Sequence, residues 1–270
     1  MKQCFLFFIF FSFSACTEVV NIPLKEGPRR LVIDANINWI SDQDGKNQSI
    51  KLSNSTGFYE NQTPVATGAK VIITNIDSNE SFTFTEVNQT GVYETDTFIP
   101  VLNNTYELFI QYEDNEYYAE GVLLPTPEIN EIQQISKTFF GVMVTKIDFY
   151  FDDDPDTENY YLSTFSSLEN NALSYFTTSD QVTNGEENII SELIEEPIDG
   201  TEFVFYLNSI SKTNHEYMSL LLEQSTSGNP FSSPPAIVKG NCINRTNPKN
   251  RPYGYFRLSQ TRFVKELIKP

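Results

Sequence analysis

The chain has 270 residues, with 18 Lys or Arg against 36 Asp or Glu for a formal charge of −18, one His and three Cys. Such acidity repels phosphate backbones and excludes nucleic acid as an expected partner, because counterion release by Lys and Arg drives that binding. So few His and Cys also argue against a zinc or iron centre, and a Ser-His-Asp triad could draw on His215 alone.

Hydrophobic residues make up 39% of the chain and aromatic ones 14%, enough for a packed core. The length suits one large or two ordinary domains.

Lys2 precedes an apolar or small run from Cys4 to Ala15, and Cys16 follows. The run falls short of the ~20 residues a spanning helix needs and has the form of a secretory signal's apolar core. Ser14 and Ala15 before Cys16 resemble the lipobox of bacterial lipoproteins, where cleavage precedes the cysteine and lipid is attached to it. The expectation is a signal peptide over 1–15, lipidation at Cys16 and a lipidated tether over 16–28; a plain signal peptide is the alternative. Several acyl chains anchor where one does not, since each buried CH₂ contributes about 0.8 kcal/mol. With Cys4 removed and Cys16 acylated, Cys242 is the one thiol left and no intramolecular disulfide can form. It reads as a small buried hydrophobe.

From Leu31 the odd positions Leu31, Ile33, Ala35, Ile37 and Trp39 are apolar, the period-two pattern of a half-buried strand. Asp44-Gly45 signals a turn, and residues 43–64, rich in Asn, Ser, Thr and Gln, read as a long hairpin or loop. Ala69, Val71 and Ile73 alternate, residues 77–80 turn, and Phe82 and Phe84 share a face. Strands are predicted again at 91–93, 106–112 and 117–124, with a turn at Asp114-Asn115. Short strands at this spacing predict a sandwich or barrel over 29–125. Leu124-Pro-Thr-Pro127 then places a domain junction, because two prolines cannot continue a central strand.

In the second domain, 128–270, Ile147, Phe149 and Phe151 alternate and residues 160–165 supply the expected return arm of a hairpin. Further strands are predicted at 174–178, 203–207, 236–243 and 253–258. One helix is predicted near 213–226, with Thr213 and Glu216 as a capping box and Tyr217, Leu220, Leu221 and Gln224 on one stripe. Gly228 and Pro230 end it.

An ordered series runs through this half: Phe149-Tyr-Phe-Asp-Asp-Asp-Pro155, Asn159-Tyr-Tyr161, His215-Glu-Tyr217, Gly228-Asn-Pro-Phe231, Pro234, Gly240-Asn241 and Gly254-Tyr-Phe256. Together with the lipobox and the strand at Leu31, it resembles a DUF-type family of Bacteroidota outer-membrane lipoproteins of unknown function. Their genes sit beside TonB-dependent receptors, and the resemblance covers nearly the whole mature chain. It implies a mainly β protein of two β-sandwich-like domains, the N-terminal one immunoglobulin- or transthyretin-like, the C-terminal one with a single capped helix. It also implies a lipid-anchored outer-membrane protein at the cell surface, working as an accessory subunit of a transporter. The family brings no catalytic residues. Cys242 stands where an aliphatic residue is expected.

The most suggestive chemistry is the acidic run Asp152, Asp153, Asp154, Asp156 and Glu158 at the tip of the expected hairpin. Calcium takes six to eight oxygen ligands, but the spacing is not that of an EF-hand loop, and a solvated hairpin tip is the other reading. Seven Asn-x-Ser/Thr triplets, at Asn47, Asn54, Asn61, Asn79, Asn88, Asn103 and Asn244, read as turn-rich loops. Trp39 reads as core or sheet face, and His215 as a surface or packing residue.

The leading expectation is a non-catalytic accessory or binding protein that docks on a TonB-dependent receptor and captures a small-molecule, glycan or peptide ligand. The alternative is an adhesive or structural surface lipoprotein that binds glycan or protein without a transporter. A hydrolase would need convergent acid, base or nucleophile groups; with one His and no Gly-x-Ser-x-Gly elbow, neither enzyme activity nor a cofactor is expected.

Overall fold

The alternation at Leu31 folds as read: β1 (Leu31–Ile40) buries Leu31, Ile33, Ala35 and Ile37 and turns Asp34, Asn36 and Asn38 outward. The computed structural model describes residues 27–57, 60, 62–152, 154–167, 173–180, 185, 187–225 and 237–269. The expected signal peptide 1–15, Cys16, most of the tether 16–28, Asn61, Asp153 and the residues from Gly228 to Pro234 lie outside the described residues.

Six further strands follow β1 in the N-terminal part: β2 (Gln48–Asn54), β3 (Lys70–Asn75), β4 (Glu80–Glu86), β5 (Val92–Thr95), β6 (Thr105–Tyr112) and β7 (Asn115–Leu124). They neighbour one another in the order β1-β2-β5-β4-β3-β6-β7. Asn79, Asn88 and Asn103, from three of the Asn-x-Ser/Thr triplets, take positive φ between these strands, a conformation Asn tolerates at turns.

The strand that completes this sheet comes from the far end of the chain. β15 (Tyr253–Leu267) lies between β1 and β7, parallel to both, pairing Val32 with Tyr253 through Ile40 with Thr261, and Leu258 with Leu123. Eight strands therefore close into a barrel-like sheet, and closure leaves no free edge. Its interior is filled by Ile33, Ile37, Leu52, Val71, Phe98, Tyr106, Phe256 and their neighbours, as an eight-stranded barrel allows. This corrects the expected N-terminal sandwich: period-two burial is the same for a sheet that faces another sheet and for one that faces itself.

The rest of the chain adds β8 (Ile129–Phe139), β9 (Val142–Asp152), β10 (Tyr160–Ser167), β11 (Leu173–Ser179), β12 (Glu187–Glu195), β13 (Glu202–Ser209), α1 (Lys212–Ser225) and β14 (Ile243–Asn244). Beyond Thr261, β15 leaves the barrel and pairs antiparallel with β13, which extends the same sheet to β10 and β11. A separate sheet, β12-β9-β8, faces that extension. Aromatic rings fill the space between: Phe149 stacks on Phe205 at 3.7 Å, Phe151 meets Tyr161 edge-on at 5.0 Å, and Phe165 lies 5.5 Å from Phe203. The expected pair of sandwiches is thus replaced by a mainly β architecture in which one twelve-stranded sheet closes into a barrel and continues as one ply of a two-sheet body.

Other expectations change too. Residues 43–64 contain β2, with Ile50 and Leu52 buried. Strand β9 pairs with β8 and β12, not with β10, so the acidic run 152–158 crosses from one sheet to the other instead of tipping a hairpin. The strand expected at 236–243 reduces to β14, paired with β7. The helix starts at Lys212; its cap is Ser211, whose Oγ accepts from Asn214 N at 3.2 Å, and Leu220 and Leu221 are exposed while Asn214 is buried.

Candidate functional site

Where the barrel meets the two-sheet body a cleft of about 1050 Å³ opens, walled by β7, β15, the start of α1, the junction at Thr126 and the acidic crossover. Each wall is fixed by identifiable bonds. Thr126 is buried: its N–H donates to Gln260 Oε1 at 3.2 Å, and its hydroxyl donates to the Gln260 carbonyl at 2.6 Å and accepts from Ser209 N at 2.8 Å. Arg262 Nε donates to the Thr126 carbonyl at 2.9 Å and its Nη1 lies 2.6 Å from Glu128. The proline-rich junction is therefore pinned to the strand that both bodies share.

The barrel's closing seam forms another wall. β7 and β15 pair over only two residues, and the Asn241 side chain supplies further bonds: Nδ2 donates to the Phe256 carbonyl at 2.8 Å and to the Glu120 carbonyl at 3.3 Å, while Oδ1 accepts from Phe256 N at 2.9 Å. Gly240 makes this approach possible, since a β-carbon there would stand 1.6 Å from the Gly254 carbonyl oxygen. On the other side of β15, Gly254 has φ +94°, and a β-carbon there would stand 1.9 Å from the carbonyl oxygen of Ile33 on β1. The Gly-Asn and Gly-Tyr-Phe pieces of the sequence series are thus two sides of one seam. Cys242, next to Asn241, points into the barrel core, where burial pushes its thiol up to about 12 and leaves it a packing residue.

Polar side chains converge from the other side. The Tyr255 hydroxyl lies 2.8 Å from Thr213 Oγ1, and the Tyr217 ring packs 5.0 Å from the Tyr255 ring. Tyr160 donates to Glu158 Oε2 at 2.8 Å, and Lys212 Nζ lies 3.8 Å from the same carboxylate. Lys212 is held above its ordinary value, first by the Tyr160 hydroxyl and then by the charges around it. His215 packs its ring 5.2 Å from Tyr160, and burial lowers its pKa.

Of the acidic run, Asp154 and Glu158 line the cleft; Asp152 ends β9 opposite Glu187, and Asp153 lies outside the described residues. Asp154 Oδ1 accepts from Asp156 N at 3.0 Å and Glu158 Oε2 from the Tyr160 hydroxyl at 2.8 Å, so these two carboxylates serve separate local bonds. Among the described residues no group of three or more His, Cys, Asp or Glu is placed to hold a metal ion. Trp39 is half-buried on the barrel and donates from Nε1 to the Gln43 carbonyl at 2.8 Å.

Reading the sequence missed Thr126, Tyr255 and, above all, Arg257. Arg257 lines the cleft from the outer face of β15 and is 8% exposed. Burial lowers its pKa to about 10. The available signal was a lone cation between Phe256 and Leu258 in an otherwise uncharged strand start.

Fold and site together define a β protein with one helix among its described residues and a polar cleft at the joint of a barrel and a two-sheet body. The chain belongs to the DUF4249 family, a domain of unknown function, whose model matches residues 17–262. No curated protein matches it in sequence. Its likeness to solved structures is of low level. A selenomethionine form of the chicken interferon gamma receptor alpha chain has 13% identity and a TM-score of 0.21, covering 66% of this chain and 86% of that one. The receptor tyrosine kinase Torso, from a study of neurohormone perception, has 12% identity and a TM-score of 0.23, covering 64% and 71%. Likenesses of this degree carry no argument about fold or function.

Proposed function

We propose that the protein is a lipid-anchored accessory subunit of a TonB-dependent nutrient-uptake complex, held at the outer surface of the outer membrane through Cys16, where it captures a ligand without transforming it. The observation that carries this reading is the cleft at the joint, whose size reaches the top of the range for small-molecule sites and whose walls mix aromatic rings with a few fixed polar groups. The lipobox and the resemblance to Bacteroidota lipoproteins encoded beside TonB-dependent receptors support the location and the partner.

A second feature suits a protein partner. The turn between β8 and β9 presents Phe139, Phe140, Val142 and Met143 to solvent, and Phe140 is held at φ 51° with its ring fully exposed. A bulky residue in that region carries a backbone cost, and an apolar tip of this kind marks an interaction surface.

Affinity purification of the tagged protein from detergent-solubilised membranes tests the reading. Co-recovery of a barrel receptor is expected, and a Phe139→Ser, Phe140→Ser double variant should lower it about tenfold while leaving the unfolding temperature unchanged. Recovery of the protein alone would overturn the uptake reading and favour the adhesive alternative. Cys16→Ala should move the protein from the membrane to the soluble fraction; retention would refute the lipid anchor.

A further inference from the structure

Arg257 stands on β15 opposite Asn36 of β1, on the face of the barrel that α1 and the cleft cover. Its Nε donates to Asn36 Oδ1 at 3.3 Å and its Nη2 to Asn38 Oδ1 at 2.9 Å. Both acceptors are neutral amides on exposed side chains that solvent could serve equally well. The remaining nitrogen, Nη1, is buried and has no hydrogen-bond partner. Asp34 is the acidic group whose charge acts on the guanidinium, and no ion pair joins the two.

A guanidinium withdrawn from water without an ion-pair partner is costly. Arg257 therefore has no adequate explanation in the fold's own bonds. Its planar fork matches a carboxylate. The surroundings suit the same charge: the N-terminal turn of α1 ends on this cleft, bringing Lys212, the Thr213 hydroxyl and the positive end of the helix dipole to its wall, beside the Tyr255 hydroxyl. Asp154 and Glu158 line the same cleft, Glu158 beside Lys212 at 3.8 Å, and suit an ammonium or N–H. A bare ion would leave most of the volume empty, so the anion belongs to a larger molecule.

We propose that the cleft binds an organic carboxylate through Arg257, whose buried guanidinium leaves Asn36 and Asn38 to meet it, the cationic or N–H end of the ligand lying toward Asp154 and Glu158. A short peptide with a free C-terminus and a free dicarboxylic acid share this chemistry. The proposal rests on the ligand-capture reading above and gives it a ligand class.

The test is equilibrium dialysis of the full-length protein in detergent, read by mass spectrometry. One arm is a defined mixture of tripeptides with free C-termini, a second the same mixture C-terminally amidated, a third succinate, and a fourth inorganic phosphate. Carboxylate-bearing probes should be retained about tenfold better than the amides or phosphate, and Arg257→Gln should remove that preference. Arg257→Lys, which keeps the charge and loses the fork, should fall between and serves if the glutamine variant fails to fold. Ligand-free Arg257→Gln should unfold at or above the parental temperature. Stronger retention of tripeptides or of succinate supports the site and identifies the source of the carboxylate. Equal retention of acids and amides, phosphate retained as well as the acids, no acid retained, or retention unchanged in the Arg257 variants would overturn it. Receptor co-purification is scored separately, so loss of the uptake reading and loss of this site give different results.

Discussion

In the barrel, buried polar groups find partners close by. Gln48 Nε2 donates to the Gly45 carbonyl at 2.9 Å, Asn75 Oδ1 accepts from Asp77 N at 3.0 Å, and the Tyr93 and Tyr106 hydroxyls donate to the Ala66 and Ile99 carbonyls at 2.9 and 3.0 Å. Toward the joint and beyond it, bonds are left open. Among the described residues, the buried side-chain atoms without a partner belong to Ser163, Asp180, Glu192 and Asn214 of the second body and to Asn250, Arg251 and Arg257, which lie on or just before the shared strand β15. A closed sheet satisfies its own backbone and leaves its outer loops to solvent, whereas a two-ply body with open edges at β11 and β12 admits polar groups between its sheets. The barrel acts as frame, and the joint and second body hold the groups with bonds still to make.

This contrast is tested most severely at Gly254, where both bodies depend on one strand. Gly254→Ala is expected to cost more than about 4 kcal/mol, because a β-carbon overlaps the Ile33 carbonyl and φ is positive. Trp39, the sole indole, reports on the barrel, and far-ultraviolet circular dichroism reports on the whole chain. Coincident denaturant transitions in parent and variant are expected; separate transitions would show that β15 does not couple the two bodies.

Asn241→Ala should cost about 2–4 kcal/mol, since it leaves the Phe256 N–H and carbonyl without partners at the seam. An unchanged urea midpoint would mean that β15 and β7 close the barrel without it.

The second body responds to pH through Glu192, which is buried with Oε1 unpartnered and whose pKa burial pushes from 4.5 to about 7. A carboxyl with a folded-state pKa above its unfolded one favours the fold in its protonated form. That contribution is complete below about pH 4.5 and is lost as pH rises through 7. Glu192→Gln should therefore add on the order of 1–2 kcal/mol at about pH 8 and nothing near pH 4.5. Equal effects at both pH values would remove Glu192 from the account.

The barrel strands were legible because their inward positions are consistently apolar, as at Leu31, Ile33, Ala35 and Ile37. β2 escaped notice because Ile50 and Leu52 are its only apolar residues. β12 was hidden by its own chemistry: Asn188 and Glu192 point inward while Ile189 and Leu193 point to solvent, so the alternation carries the wrong sign for half its positions. Pairing was harder still. The residues flanking Asp152 to Glu158 have the look of a hairpin, yet their partners are set by which aromatic faces meet across the two sheets, a tertiary choice that periodicity does not encode. Of the cleft, Asp154 and Glu158 stood out for their charge. Arg257 did not, because an isolated Arg in a strand is usually a solvated outward residue, and its burial follows from α1 and the cleft walls packing over β15.

The position of β15 also governs the order in which this molecule can be completed. Asn36 and Arg257, neighbours in the finished sheet, are 221 residues apart in the chain. The entropy of closing so long a loop must be met before the pairing returns anything, so the barrel waits for nearly the whole chain. Until then β1 and β7 present open edges that another strand could take. A chain cut short before Tyr253 would lose the fourth strand of the second body's larger ply along with the barrel's eighth, and Thr126 would lose Gln260 and Arg262, which hold the two bodies in place.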